Sequence, residues 1–147
     1  MQVIVQVGMR YAVLALLVAL VAAAPAAAAP VAPCKLVTTA EARAALGASV
    51  TRKTETVGLF QSCMYKHGAS FLQIETRSIS KADFVRSAKS NMRPVTAVKG
   101  LGTPAYSAAY VVLLVWRNGN EATFLMFAPG KTIADTERLA KEVLSRL

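Results

Sequence analysis

The chain has 147 residues, of which 54% are apolar, and its formal net charge is +9. This length fits one domain and is too short for a catalytic domain with a separate binding domain. A basic balance in a cytoplasmic protein would suggest nucleic acid as the partner. In an exported protein, a basic balance indicates anionic envelope polymers or lipid headgroups as partners, or serves only solubility. We therefore expect no nucleic acid partner.

The N-terminal segment is typical of a cleavable secretory signal. If translation starts at Met9, Arg10 is the short positive region and Tyr11 to Val21 is the apolar region, followed by small alanines. We expect cleavage after Ala28, so that residues 1–28 are the signal peptide and the protein is exported, periplasmic or secreted. The apolar region is shorter than the roughly 20 residues that span a bilayer. We therefore expect no transmembrane anchor in the mature form.

The two cysteines predict one disulfide. Cys34 and Cys63 are the only cysteines in the chain, and an even number in an oxidising compartment favours a bridge. One alternative is lipid attachment at Cys34, although Pro33 stands where a small residue is required. Another is a metal site in which His67 joins the two cysteines. Three ligands are fewer than the four of a structural zinc site, so we predict the disulfide and no metal.

A Pro/Ala linker over residues 29–33 precedes a single domain over residues 34–147. Thr38 and Glu41 have the spacing of a capping box, and Gly47 is a helix end signal. The alternating, β-branched segments that follow predict strands joined by short turns. The elements predicted in this half are a helix over Thr39–Leu46, strands over Ser49–Val57, Phe60–Lys66 and Ser70–Ser78, and a helix over Lys81–Met92.

The second half predicts further strands and a last helix. Asn118-Gly119-Asn120 is a strong hairpin connector. The apolar run Tyr110–Trp116 shows no polar alternation and predicts a strand in mid-sheet with helices on both sides. The elements predicted here are strands over Val95–Lys99, Tyr106–Arg117 and Glu121–Phe127, and a helix over Ile133–Leu147.

Together these elements predict an α+β fold. We expect a single antiparallel sheet of about five to six strands, because short turns join antiparallel neighbours. Three helices are expected to pack on this sheet in two or three layers, with one disulfide.

Few residues in the sequence suggest chemistry. His67 is the single histidine, and nothing arranges it with a serine and a carboxylate, so we expect no catalytic residue, no cofactor and no enzyme. On the second predicted helix, Arg86, Lys89 and Arg93 fall within about 60° of one another. We name these three residues the basic cluster. It is the candidate contact with an anionic polymer or lipid surface, although most charged helix faces are only solvated.

Several short motifs carry a resemblance to a known family. They are Pro33 to Glu41, Ala44 to Gly47, Cys63 to Tyr65, Gly100 to Ala105, and Leu139 to Leu144. In this order they resemble a family of small exported domains of unknown function that is common in actinobacterial lipoproteins. The resemblance implies that the paired cysteines bridge and that a lipidated cysteine lies upstream of them. This chain has no such upstream cysteine, so we expect it to be soluble.

From these observations we expect a non-enzymatic binding module of the cell envelope. Its partner would be an envelope protein, an anionic envelope polymer or a lipid surface. One alternative is a small periplasmic enzyme or metal-binding protein that uses His67 with Cys63. Another is an inhibitor of a hydrolase.

Overall fold

The fold is built around one large antiparallel sheet. The computed structural model describes residues 29–47, 49–109 and 111–147, so the expected signal peptide, residues 1–28, lies outside the described residues. The described residues form four α-helices, seven strands and a final 3₁₀ turn. In chain order these are α1 (Pro33–Leu36), α2 (Thr39–Leu46), β1 (Thr51–Val57), β2 (Phe60–His67), β3 (Ser70–Ser78), α3 (Lys81–Asn91), β4 (Val95–Ala97), β5 (Ala105–Ala108), β6 (Val112–Arg117), β7 (Asn120–Phe127), α4 (Ile133–Val143) and the 3₁₀ turn Leu144–Arg146.

The two faces of the sheet are covered unequally. The strand order is β1-β2-β3-β7-β6-β5-β4, and all neighbours are antiparallel. Helices α1, α2 and α4 share one hydrophobic core with one side of the sheet, which we name the helical face. Helix α3 packs on the opposite side, against β6. We name that side the open face, because a single helix covers it.

The predicted alternation in β3 is confirmed. Leu72, Ile74 and Thr76 are buried towards the helical face, while Phe71, Gln73 and Glu75 are half-buried on the open face. Because successive side chains of a strand point to opposite faces, one strand serves both sides of the sheet. β3 therefore contributes to the core and also presents a row of side chains on the open face.

The predicted fold class is wrong in its numbers of strands and helices. The sheet has seven strands rather than five or six, four helices rather than three pack on it, and the fold is mostly sheet. The segment Tyr106–Arg117 is two strands, because the chain reverses between Ala108 and Val112. Ala109 has a φ of 51° at this turn, a conformation that alanine rarely adopts. The residue types therefore do not indicate this turn. The helix missing from the prediction is α1, which is too short to show helical periodicity.

Local signals set the other boundaries well. Helix α2 has the predicted bounds, with the capping box of Thr38 and Glu41 and a left-handed Gly47 (φ 77°) at its end. Helix α3 ends at Asn91, one residue early, and α4 gives way to the 3₁₀ turn after Val143. The middle of strand β6, residues 113–115, is buried on both faces as predicted, whereas its ends are half-buried. Among the described residues, no helix combines the length and the apolar character that crossing a membrane requires.

Both ends of the described chain are fastened to the helical face. The Thr76 hydroxyl donates to the carbonyl oxygen of Val31 at 2.6 Å. The Arg146 guanidinium donates to the carbonyl oxygen of Leu36 at 2.8 Å and to both carboxylate oxygens of Glu41 at 2.8 and 2.6 Å. The hydrogen bonds that Arg146 donates to Glu41, with those from Thr38, lower the pKa of Glu41 from 4.5 to about 2.

Replacing Glu41 by glutamine is expected to lower the free energy of unfolding by about 1 kcal/mol at pH 7, a value reduced for the partial exposure of both side chains. Glutamine preserves the capping box, so the change isolates the ion pair. Since the folded pKa of Glu41 lies below the unfolded one, its contribution is complete above about pH 5 and is lost as the pH falls towards 2. Urea unfolding from pH 7 to pH 2.5 should show a shallower acid decline in E41Q. An identical decline in both proteins would contradict this account.

Candidate functional site

The disulfide predicted from the sequence is confirmed. Cys34 in α1 is bonded to Cys63 in β2, and Cys63 is fully buried in the main core. The two cysteines of the chain are thereby both used. Neither a lipid on Cys34 nor a thiolate ligand from Cys63 is compatible with this bridge. The bridge fastens the first helical turn to the sheet.

The structure does not assemble a metal site from His67 and Cys63. His67 is exposed at the end of β2, and its Nδ1 lies 2.8 Å from the carbonyl oxygen of Ser49. The sulfur of Cys63 is bonded to Cys34 instead. In the part of the chain that the structure describes, no three His, Cys, Asp or Glu side chains are grouped so that they could hold a metal ion.

The basic cluster is exposed but is not a single helical stripe. Arg86 and Lys89 lie on α3, whereas Arg93 follows the end of this helix. Arg86 forms an ion pair with Asp83 at 2.8 Å. Arg93 donates from Nε to the carbonyl oxygen of Lys89 at 3.0 Å. The structure thus brings the three residues to one region, with part of the charge of Arg86 balanced by Asp83.

Helix α3 is anchored over one half of the open face. Its start is fixed by Trp116 of β6, whose Nε1 donates to the carbonyl oxygen of Ile79 at 2.9 Å. Phe84 of α3 lies against Tyr106 of β5, with 5.8 Å between the ring centroids. An 11-residue helix cannot cover a sheet of seven strands. Beside α3, the open-face side chains of β2, β3 and β7 line a groove.

An ion pair lies at the bottom of this groove. Arg77 of β3 contacts Oε2 of Glu121 on the neighbouring β7, through Nη2 at 2.7 Å and Nε at 2.8 Å. The Arg77 guanidinium also lies 4.7 Å from the ring centroid of Phe60 and 3.4 Å from the hydroxyl of Ser87. The side chains of Arg77 and Glu121 are only 20% and 4% exposed. Both charges are therefore held with little access to water.

A polar row continues from this pair along β3. Nε2 of Gln73 donates to Oε1 of Glu75 at 2.7 Å and lies 3.4 Å from Oγ of Ser62. Along the row, two carboxylates, Glu75 and Glu121, are balanced by one guanidinium, that of Arg77. The groove therefore carries local negative charge in a protein with a net positive charge.

The far end of the groove is apolar. Phe71 of β3 and Phe127 of β7 stack with 5.9 Å between their ring centroids, and Phe127 is 54% exposed. Two adjoining hollows of about 300 and 170 Å³, which share Glu75, Met92 and Thr123, extend from the ion pair to Gln73 and Leu125, the neighbours of Phe71 and Phe127 on this face. We name this continuous region, from Phe60 and Arg77 to Leu125 and Phe127, the open-face groove. Apolar walls with a few convergent polar groups are the usual composition of a binding site.

A larger hollow of about 430 Å³ lies beside the turn Gly100 to Ala105. Two of its polar side chains already bind backbone carbonyl oxygens of the fold. The Thr103 hydroxyl donates to the carbonyl oxygen of Trp116, and Arg117 donates to that of Leu144. The open-face groove is therefore the stronger candidate site.

Sequence reasoning did not select the groove residues. The alternation of β3 placed Phe71, Gln73 and Glu75 on one face, but their neighbours on α3 and β7 could not be read from it. The residue that could have indicated the groove is Glu121. It is a carboxylate at the start of a strand, and the neighbouring strand is buried on both faces in its middle. A buried acid requires a partner, and Arg77 lies 44 residues away in the sequence.

Comparisons with known proteins add neither a family nor a related structure. The chain matches no protein-family model, no curated protein and no solved structure. The resemblance to exported domains of lipoproteins therefore stays a prediction from short motifs. The function is inferred from the residues described above.

Proposed function

We propose that the protein is an exported, non-enzymatic binding module of the cell envelope, and that its open-face groove holds a segment of a partner protein. The observation that carries this proposal is the Arg77–Glu121 ion pair at the bottom of a groove with an exposed aromatic end. Export is supported by the disulfide, because such bridges persist in oxidising compartments. The family resemblance supports the same location.

The ion pair supports recognition because stability alone does not require it. Removing two charges from water costs several kcal/mol each, and well-packed apolar residues often replace a buried pair without loss. Glu121 is 4% exposed, so most of its hydration is lost. Hydrogen bonds from Arg77 and Thr123 hold the carboxylate in place. A fixed charge pair of this kind gives a ligand a defined orientation.

The apolar end provides the binding energy. Phe127 is one of three large apolar side chains that are exposed among the described residues, and its stacking with Phe71 holds it in place. Covering apolar surface contributes about 25 cal/mol per Å². An apolar side chain of the partner, placed against Phe127 and Leu125, would gain this energy.

Charge complementarity indicates the rest of the partner segment. Glu75 and Glu121 outnumber Arg77 in the groove, and Glu75 lies on the edge shared by the two hollows. A lysine, an arginine or an amide donor would match Glu75. We therefore propose a partner segment that presents an apolar side chain next to a cationic or hydrogen-bond-donating one.

Selection from a displayed random peptide library tests this function. We expect enrichment of peptides with an apolar residue next to lysine or arginine, because these match Phe127 and Glu75. The variants F127S and E75Q should each weaken binding of an enriched synthetic peptide about tenfold. Isothermal titration of that peptide gives the affinities.

The triple variant R86Q/K89Q/R93Q is the matched control, since it changes the basic cluster, none of whose residues lines the two hollows. We expect it to bind the peptide as the unchanged protein does. No enrichment, or enriched peptides insensitive to F127S and E75Q, would overturn the proposal. Retention on phosphatidylglycerol vesicles that only the triple variant abolishes would favour the basic cluster and an anionic surface instead.

A further inference from the structure

Strand β1 is an uncovered edge of the sheet. It pairs with β2 alone, and all seven of its residues are exposed. The opposite edge strand, β4, has only three residues. A long edge strand carries a row of unpaired backbone N–H and C=O groups, which another strand can join.

None of the helices that the structure describes blocks access to this edge. Helices α1 and α2 contact β2 and β3, and the exposure of β1 on both faces leaves room for a neighbouring strand. On the helical face, Cys34 Sγ lies 3.2 Å from the Thr54 hydroxyl. An incoming strand can therefore reach the full length of β1.

We propose that β1 pairs with β1 of a second copy of the chain, antiparallel about a two-fold axis at Thr54. In this register Thr54 lies opposite Thr54, and Lys53 lies opposite Glu55 on each side of the axis. Thr51 lies opposite Val57, which is 67% exposed in the single chain. The two-fold axis is perpendicular to the sheet, so the sheet continues across both copies.

The charges of β1 select this register. Lys53 and Glu55 form an ion pair within the strand, on the open face. The two-fold arrangement turns two such pairs into a square in which each charge has opposite charges as its nearest neighbours. Shifting the axis by one residue places Lys53 opposite Lys53, or Glu55 opposite Glu55. Opposite charges across strands are favourable and like charges are unfavourable.

The competing interpretation is that the charged residues prevent association. Lysine on an edge strand commonly has this role. The two interpretations differ in sign: if Lys53 prevents association, replacing it increases dimer formation, whereas our proposal predicts the opposite.

Charge exchange between the two positions tests the proposal. We expect K53E and E55K each to weaken dimer formation by about 30-fold, since each places like charges opposite one another at two positions. The double variant K53E/E55K should recover the dimer. A mixture of K53E with E55K should form a heterodimer, because every pair is then complementary. Sedimentation equilibrium at 0.15 M salt measures each constant, and K99E is the control whose charge change equals that of K53E.

Circular dichroism checks that every variant is folded, which surface positions on β1 should permit. A monomeric unchanged protein at millimolar concentration would overturn the proposal. So would single variants that associate as strongly as the unchanged protein, or a mixture without heterodimers. The inference does not depend on the open-face groove, so the peptide experiment and this one can fail separately.

Discussion

Replacing Cys34 and Cys63 together by alanine is expected to lower the free energy of unfolding by about 3.5 kcal/mol, the value for a bridge that closes a loop of this length. For a domain of this size the melting temperature should fall by roughly 10–15 °C. The bridge restricts the unfolded chain, and it also holds α1 against β2. Alanine at position 63 keeps the buried site apolar, so the bridge is the main difference between the two proteins.

Thermal unfolding with and without reductant measures this effect. Reductant should lower the melting temperature of the unchanged protein and leave that of C34A/C63A unaltered. Thiol titration after denaturation should find no free thiol in the unreduced protein. Equal melting temperatures for the two proteins would show that the disulfide does not contribute to stability.

Replacing Glu121 by alanine is expected to lower the free energy of unfolding by about 3 kcal/mol. The change leaves the Arg77 guanidinium, which is only 20% exposed, without its carboxylate. The double variant R77L/E121L removes both charges and should regain most of the lost stability. It should nevertheless lose binding to the selected peptide, because the oriented charge pair is gone.

Urea unfolding of the single and double variants gives the coupling between the two residues. E142A, an exposed change on α4, is the control and should stay within about 0.5 kcal/mol of the unchanged protein. If R77L/E121L is as unstable as E121A, the pair is required for folding. The main support for a recognition role would then be lost.

Local signals explain which parts of the fold could be predicted. Thr38, Glu41 and Gly47 determine α2 because a capping box and a left-handed glycine act within a few residues. The alternation of β3 and the hairpin at Asn118-Gly119 are equally local. The two cysteines predicted their bridge because an even number of cysteines, in a chain expected to be exported, favours a disulfide.

The rest depends on contacts between distant segments. The turn after Ala108 carries an alanine in a left-handed conformation, which its residue type does not predict. The open-face groove needs β3 beside β7, and this pairing joins Arg77 to Glu121 across 44 residues. Whether α3 covers the whole sheet depends on the number of strands, and the number predicted from the sequence was too low. The groove could therefore not be predicted from a sequence analysis that treats each element separately.

The attachment of the two ends of the described chain determines which face of the molecule stays accessible when a tag is fused to it. The hydrogen bonds concerned run from Thr76 to Val31 and from Arg146 to α1 and α2. Both ends of the described chain are held on the helical face, on the opposite side of the sheet from Phe127 and Arg77. A fluorescent label, a sensor-surface linker or a fused reporter attached near residue 29 or Leu147 would thus point away from the groove. Such attachments orient every molecule with its groove towards the solution.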